Sequence, residues 1–401
     1  MNTTAIFTIT SGLHDEKAVS GLSDAFLSSI FPEGNYTFCG ADFSSFGELP
    51  LNLIYVRTGG AEGIFKSLLP EIRLKYRGPV YLLTSGKSNS LAASMEILSY
   101  LRQHGIPGEI LHGRSESLAR RIALLEKVAC ARKTLQGQRI GVVGNPSDWL
   151  IASAASPLAI KEKLGADLVE VPMEALLALI ARTRAEDVPD GLPMKTDIRA
   201  SYPGAIQVYE ALKEVKDQYE LQALTLRCFD LLTSVGNTGC IALARLNAAG
   251  IPAACEGDVP ALLSMMIAHA LTGCTGFQAN PSRIDTESGE LLFAHCTIPL
   301  DIPSSIQYDT HFESGIGVGI HGEFPEGPVT LFKVSGELSR CFLAEGQLLR
   351  NQYEDNLCRT QVVVKIQPEE ARYFLTNPIG NHHILLPGHH KALLEAFMAT
   401  L

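Results

Sequence analysis

The stretch Gly250-Ile-Pro-Ala-Ala-Cys-Glu-Gly-Asp-Val-Pro-Ala-Leu-Leu-Ser-Met-Met266 decides how the rest of the chain is read. Two carboxylates, Glu256 and Asp258, sit in a turn of small residues, and the apolar run from Val259 to Leu271 behind them is long enough for a helix. The free N–H groups and the dipole at a helix N-terminus favour a carboxylate there by ~0.3–1 kcal/mol. Asp258, followed by Pro260 at a first-turn position, therefore reads equally well as an acidic N-cap or as a functional group. Glu256 lies on the strand side of the turn, where capping does not require it. In an α/β protein, that edge at the carboxyl ends of the strands is where ligands collect.

Upstream, residues 1 to 134 alternate strand-like and helix-like runs. Leu53–Val56 and Val80–Thr84 are short apolar runs that end in Thr58-Gly-Gly60 and Ser85-Gly86, and each precedes a helical pattern, the second over Ser90 to His104. The repetition predicts a parallel sheet covered by helices, closed by a charged helix from Glu116 to Lys133. A second unit, 135–275, opens on the strand Gln138–Gly144. It continues through Ala166–Val171, a helix from Ala205 to Gln218 and the strand-like run Gln222–Phe229, and it finishes at the Glu256 turn. Its glycines form neither G-x-G-x-x-G nor G-x-x-x-x-G-K-[ST], so both nucleotide fingerprints are absent. From 276 to 401 the texture changes to short β-rich segments (291–298, 316–321, 328–334, 340–344, 360–366) divided by Gly, Pro and Ser, with one helical pattern at Lys391–Thr400. The expected fold class is α/β: two parallel-sheet domains followed by a β-rich, antiparallel, barrel-like domain.

Composition narrows the function classes. The 401 residues are 46% hydrophobic and 19% charged, which suits a folded chain with a large core. A net charge of −10 with no basic cluster argues against nucleic acid as a partner. No apolar stretch approaches the length of a membrane span, and the N-terminus lacks the basic start of a signal peptide. Nine cysteines without a C-x-x-C pair fit buried thiols in a reducing cytoplasm better than a disulfide or zinc framework.

Five segments, in order, carry a family resemblance: Cys255-Glu-Gly-Asp258, Phe277-Gln-Ala-Asn280, Ala294-His-Cys-Thr-Ile-Pro299, Thr310-His-Phe-Glu-Ser-Gly-Ile-Gly317 and Gly380-Asn-His-His-Ile-Leu-Leu-Pro-Gly388. Together they cover the second half of the chain, which resembles the L-fucose isomerase and L-arabinose isomerase superfamily; the first half matches only in style. The resemblance implies a metal-dependent aldose–ketose isomerase acting on a sugar through an enediol, in a cytoplasmic homo-oligomer such as a trimer or hexamer. It implies Mn2+ as the cofactor. It also implies Glu256 as ligand and catalytic carboxylate, a second acid at the position of Asn280, and a histidine ligand that matches His382, with His383 as its rival.

Such chemistry removes the hydrogen beside a carbonyl and holds adjacent oxygens in place, the second being the task of a divalent cation. Carboxylate and imidazole are suitable ligands, and a carboxylate of tuned pKa can move the proton. Asn280 is the expected residue at that metal-binding and catalytic position, and it departs from the pattern, because an amide can coordinate but cannot act as a base. Asp285 or Asp258 are the acids that could replace it. Asp309, His311 and Glu313 are spaced at period two, so on a strand all three would share a face, either towards solvent or towards a pocket. His295 lies in an apolar string, as a core imidazole or a pocket group. Arg227 follows an apolar strand and would either bind an anionic or hydroxylated substrate or pair with Asp230 or Asp258. With His383, these give the substrate-binding candidates Arg227, His295, His311, Glu313 and His383. His389 and His390 read as the polar start of a helix. A sugar-binding or regulatory protein without turnover, and another metal-assisted reaction on a polyol or sugar acid, are the alternatives.

Overall fold

The computed structural model describes residues 2–185 and 188–401. The chain divides into two compact units, one ending at Lys133 and one running from Thr134 to Ala399. In the first, strands β1 (Thr4–Ile9), β2 (Thr37–Gly40), β3 (Leu51–Val56), β4 (Val80–Leu83) and β5 (Gly108–Leu111) form a parallel sheet in the order β2-β1-β3-β4-β5. Helices α1 (Glu16–Ile30), α2 (Glu62–Lys75), α3 (Ser90–Gln103) and α4 (Ser115–Leu135) follow β1, β3, β4 and β5 respectively. Every residue of β3 is buried, as expected where helices cover both faces of a parallel sheet and strands are apolar throughout.

The second unit begins with a parallel sheet of β6 (Arg139–Val143), β7 (Asp167–Val171), β8 (Ala223–Leu226) and β9 (Ala253–Cys255), in the order β7-β6-β8-β9. Its helices are α5 (Pro157–Leu164), α6 (Met173–Arg182), α7 (Tyr202–Gln218), α8 (Asp230–Ser234), α9 (Cys240–Ala248) and α10 (Val259–Thr272). Then come β10 (Phe277–Ile284), β11 (Glu290–His295), β12 (Ile306–Asp309), β13 (Gly319–Gly322), β14 (Gly327–Val334), β15 (Cys341–Asn351), β16 (Thr360–Lys365) and β17 (His383–Pro387). Short helices α11 (Pro368–Ala371) and α12 (Tyr373–Thr376) precede β17, and α13 (Lys391–Met398) follows it. Six of these strands close an antiparallel barrel, β10-β11-β16-β15-β14-β17, while β12 and β13 pair as a separate ribbon. The architecture is thus the expected pair of parallel α/β sheets with an antiparallel barrel.

Helix α10 is the central element of the second unit. It contacts β8 and β9 on one side and β14 and β17 on the other, and its residues from Val259 to Ala268 are all buried. A helix that is apolar all round is stable only when enclosed in this way. Its N-terminus, and with it the Glu256 turn, is thereby held where the second sheet meets the barrel.

Two local expectations are corrected. The run Gln222–Phe229 is a strand only from Ala223 to Leu226; Arg227 lies beyond it and Cys228 and Phe229 turn into α8. The segment after Asp309 is not a strand, because β12 ends there and residues 311–314 form a turn. Asp309, His311 and Glu313 therefore do not share a strand face.

Candidate active site

The Glu256 turn is built by its backbone. Glu256 has φ +66, in the left-handed region that costs a non-glycine residue about 1–2 kcal/mol, and Gly257 follows at φ +71. The amide of Gly257 donates to the Leu226 carbonyl at 3.0 Å, and that of Ser147 to the Glu256 carbonyl at 2.9 Å. Gln278, on the face of β10 opposite to buried Phe277 and Ala279, accepts from the Cys255 amide at 2.8 Å. These bonds set β9 against the barrel and aim the Glu256 side chain inwards, where it is 8% exposed. The Trp149 indole donates to Glu256 Oε2 at 2.7 Å, fixing one carboxylate oxygen.

The other oxygen, Oε1, lies 3.3 Å from His382 Nε2 and 3.9 Å from His295 Nε2. One donor atom from each of Glu256, His295 and His382 falls within 4.8 Å of the others. His382 Nδ1 donates to Asp258 Oδ2 at 2.8 Å, since an ionised carboxylate can only accept, and this turns Nε2 towards Glu256. His382 Nε2 is buried and makes no hydrogen bond among the described residues; His295 Nδ1 is in the same condition. A carboxylate with two imidazoles, one oriented by a carboxylate behind it, is a donor set that fits a borderline divalent cation.

Asp258 does two jobs. It caps α10, accepting from the Ala261 amide at 2.8 Å, and it pairs with Lys333 at 3.2 Å, both side chains being wholly out of solvent. The N-cap and functional readings of Asp258 therefore hold together. Lys333, from the apolar run of β14, and Trp149, the sole tryptophan, are partners that sequence reasoning did not select. A lysine inside Val329-Thr-Leu-Phe-Lys-Val334 is the signal that could have pointed to a buried acid.

Charges in this group are strongly displaced. Burial pushes the Glu256 carboxyl up, but the His382 imidazole 3.3 Å away, helped by His295 and by the Trp149 hydrogen bond, outweighs burial and holds it at about 2. Burial likewise opposes ionisation of Asp258, and Lys333 and His382 bring it below the usual carboxylate range. His382 is lowered by burial yet raised further by Asp258 and Glu256, to about 9. His295 is lowered to about 3 by burial and by His382, so it is neutral at neutral pH.

The cavity beside this cluster is lined by Glu256, Asn280, His295, His311, Glu313 and a set of cysteines. Asn280 accepts at Oδ1 from Asn381 Nδ2, 3.0 Å away. His311 is held by Ser314 at 3.0 Å and stacks edge-on against Phe229. Glu313 is more exposed, and burial together with the charge of Glu256 raises its pKa.

Two candidates lie elsewhere. His383 opens β17 beside His382 and, by strand alternation, points the opposite way. It packs against Phe342, Tyr373 and Phe374, and both ring nitrogens are used, by the Tyr373 hydroxyl at 3.1 Å and the Asn381 carbonyl at 3.0 Å. Arg227 pairs with Asp148 at 3.0 Å and Asp230 at 3.0 Å in a separate cavity at the ends of β6 and β7. The guanidinium is taken up by this ion-pair network. Among the replacement acids, Asp285 sits in the exposed turn after β10, bonded to Ser288 and the Glu287 amide, while Asp258 stands behind His382.

Fold and cluster together define an α/β protein with a barrel-flanked candidate metal centre. No family model matches this chain. It is similar to a protein named sulfoquinovose isomerase from Priestia megaterium, 26% identical over 267 residues, which cover 62% of this chain and 59% of the relative. A sulfoquinovose isomerase from Alkalicoccus urumqiensis is 25% identical over 268 residues, covering 61% and 59% respectively. One from a Clostridium species is 28% identical over 183 residues, covering 42% and 39%. The matched region thus spans three fifths or less of these curated relatives.

Proposed function

We propose that this chain is an aldose–ketose isomerase that uses a divalent cation, Mn2+ for preference, held by Glu256, His295 and His382. The observation that carries the reading is the convergence of these three donors, with His382 oriented by Asp258 and its inner nitrogen without a hydrogen-bond partner among the described residues. The relatives named sulfoquinovose isomerase support a sugar substrate, and the five ordered segments support a place in the L-fucose and L-arabinose isomerase superfamily. That same resemblance supports a cytoplasmic homo-oligomer.

A bound cation would polarise a carbonyl and stabilise the charge that develops on its oxygen. The residues of the chain do the rest. Trp149 and the turn backbone hold Glu256 in place, and Asp258 with Lys333 holds His382. Proton transfer between adjacent carbons needs a group that titrates near the working pH, which Asn280 cannot provide. Glu313 faces the same cavity with a raised pKa and is our candidate for that step; His311 and Asn280 would bind hydroxyl groups. The amide at position 280 favours a second reading, a sugar-binding homologue without turnover.

A panel of aldoses and ketoses, sulfoquinovose included, incubated with Mn2+ and separately with a chelator separates the two. Metal-dependent interconversion of at least one sugar supports the enzyme. Sugar binding without interconversion, in metal-loaded protein, assigns the chain to the second reading.

A further inference from the structure

Five of the nine cysteines, Cys228, Cys240, Cys255, Cys296 and Cys358, line the cavity beside the Glu256 cluster. Within this wall, Cys228 Sγ and Cys255 Sγ lie 2.9 Å apart as free thiols. Their placement follows from the sheet. Cys255 ends β9 and is in register with Leu226, the last residue of the parallel neighbour β8, and Cys228 stands two residues beyond that strand end. A disulfide has a sulfur–sulfur length of about 2.05 Å, so bond formation needs an approach of only about 0.9 Å. Cys228 and Cys255 are 7% and 3% exposed, and both belong to the cavity wall.

We propose that Cys228 and Cys255 form an oxidative modification site, closed to an intrachain disulfide by hydrogen peroxide. One cysteine attacks the peroxide as its thiolate, breaking the O–O bond and becoming a sulfenic acid, while the departing hydroxide takes up the proton lost from that sulfur and leaves as water. The second thiol then forms the Sγ–Sγ bond and expels another water. Both S–H bonds are lost, the two sulfurs give up two electrons in total, and the peroxide is the species reduced. The position matters to the site because each cysteine precedes a partner of Trp149. Cys255 is followed by Glu256, which accepts from the Trp149 indole at 2.7 Å, and Cys228 is followed by Phe229, whose ring stacks edge-on with Trp149 at 4.9 Å. Drawing the sulfurs together moves both partners of the sole tryptophan.

The test is independent of any isomerase activity. The full-length protein is treated with hydrogen peroxide, its thiols are titrated in denaturant, and its non-reduced peptides are mapped by mass. Titratable thiols should fall from nine to seven, with the Cys228 and Cys255 peptides joined, and Trp149 emission should shift and return with dithiothreitol. Cys228→Ser, or Cys228→Ala should the serine variant misfold, should keep the remaining thiols free of this cross-link and show no reversible emission shift. Nine thiols after oxidation, or a cross-link joining other cysteines, would overturn the site. A Cys228–Cys255 bond that leaves Trp149 emission unchanged would overturn its coupling to Glu256.

Discussion

Asp258 is the residue on which the cluster depends, since it caps α10, neutralises Lys333 and aims His382. Truncating one partner of a buried pair leaves the other charged and unpaired, at about 3–5 kcal/mol, and losing a cap adds ~1 kcal/mol. Asp258→Ala should therefore lower stability to chemical denaturation by several kcal/mol and weaken Mn2+ binding on the order of 10–100-fold by freeing His382. A loss of only about 1 kcal/mol in urea unfolding, with Mn2+ binding unchanged in calorimetry, would mean that Asp258 only caps. Protonation gives a second expectation. The folded pKa of His382 is raised from 6.5 to about 9, so in metal-free protein its ion pairs stabilise fully below pH 6.5 and are lost as pH rises through 9. Glu256 is depressed from 4.5 to about 2, so its contribution is present above pH 4.5 and lost as pH falls towards 2. A cation must displace the His382 proton, so binding between pH 6.5 and 9 should release about one proton and tighten with pH. Calorimetry in buffers of differing protonation enthalpy reads that proton directly; zero release would show that His382 is not a ligand.

At the scale of elements, the β9–α10 turn was readable in the sequence because its chemistry is local: small residues, a capping acid, a proline in the first turn and an apolar run. Gly257 shows why the turn tolerates so little change. A Cβ there would meet Pro146 Cα at 2.6 Å and the Asn145 carbonyl at 2.9 Å, both backbone atoms, at φ +71. Gly257→Ala should cost more than the ~1–2 kcal/mol of a left-handed alanine and should weaken metal binding with it. A thermal midpoint equal to wild type would show that the turn relaxes freely. What could not be read was set by contacts distant in sequence. Asp309, His311 and Glu313 have strand spacing, yet β12 ends at Asp309, whose carboxylate pairs with Lys195 and, at 3.6 Å, with Arg359. The choice between His382 and His383 turns on where β17 begins, a boundary that an apolar run leaves open by a residue. Arg227 had an ion-pair alternative visible in Asp230, but its second partner, Asp148, comes from another loop.

At the scale of the whole molecule, the three-part texture of the sequence corresponds to two parallel sheets and a barrel, because buried parallel strands and antiparallel strands leave different hydrophobic patterns. The proposed division at 275/276 is another matter, since one buried cluster joins Ile198, Tyr202 and Ile206 to Phe277, Phe293 and Leu331 of the barrel. Phe293→Ala, in the barrel, should cost about 3–5 kcal/mol. If the sheet and barrel share one core, the unfolding transition seen by Trp149, before α5 of the sheet, should move with it. A Trp149 transition that stays in place would make 135–275 and 276–401 independent domains. The central claim is that Glu256, His295 and His382, brought together across 127 residues of sequence, hold one divalent cation. Anomalous diffraction from crystals soaked in Mn2+ tests it most directly. The account predicts one strong peak bounded by Glu256 Oε1, His382 Nε2 and the His295 ring; a saturating soak with no peak there, or with the ion held by other residues, would contradict it.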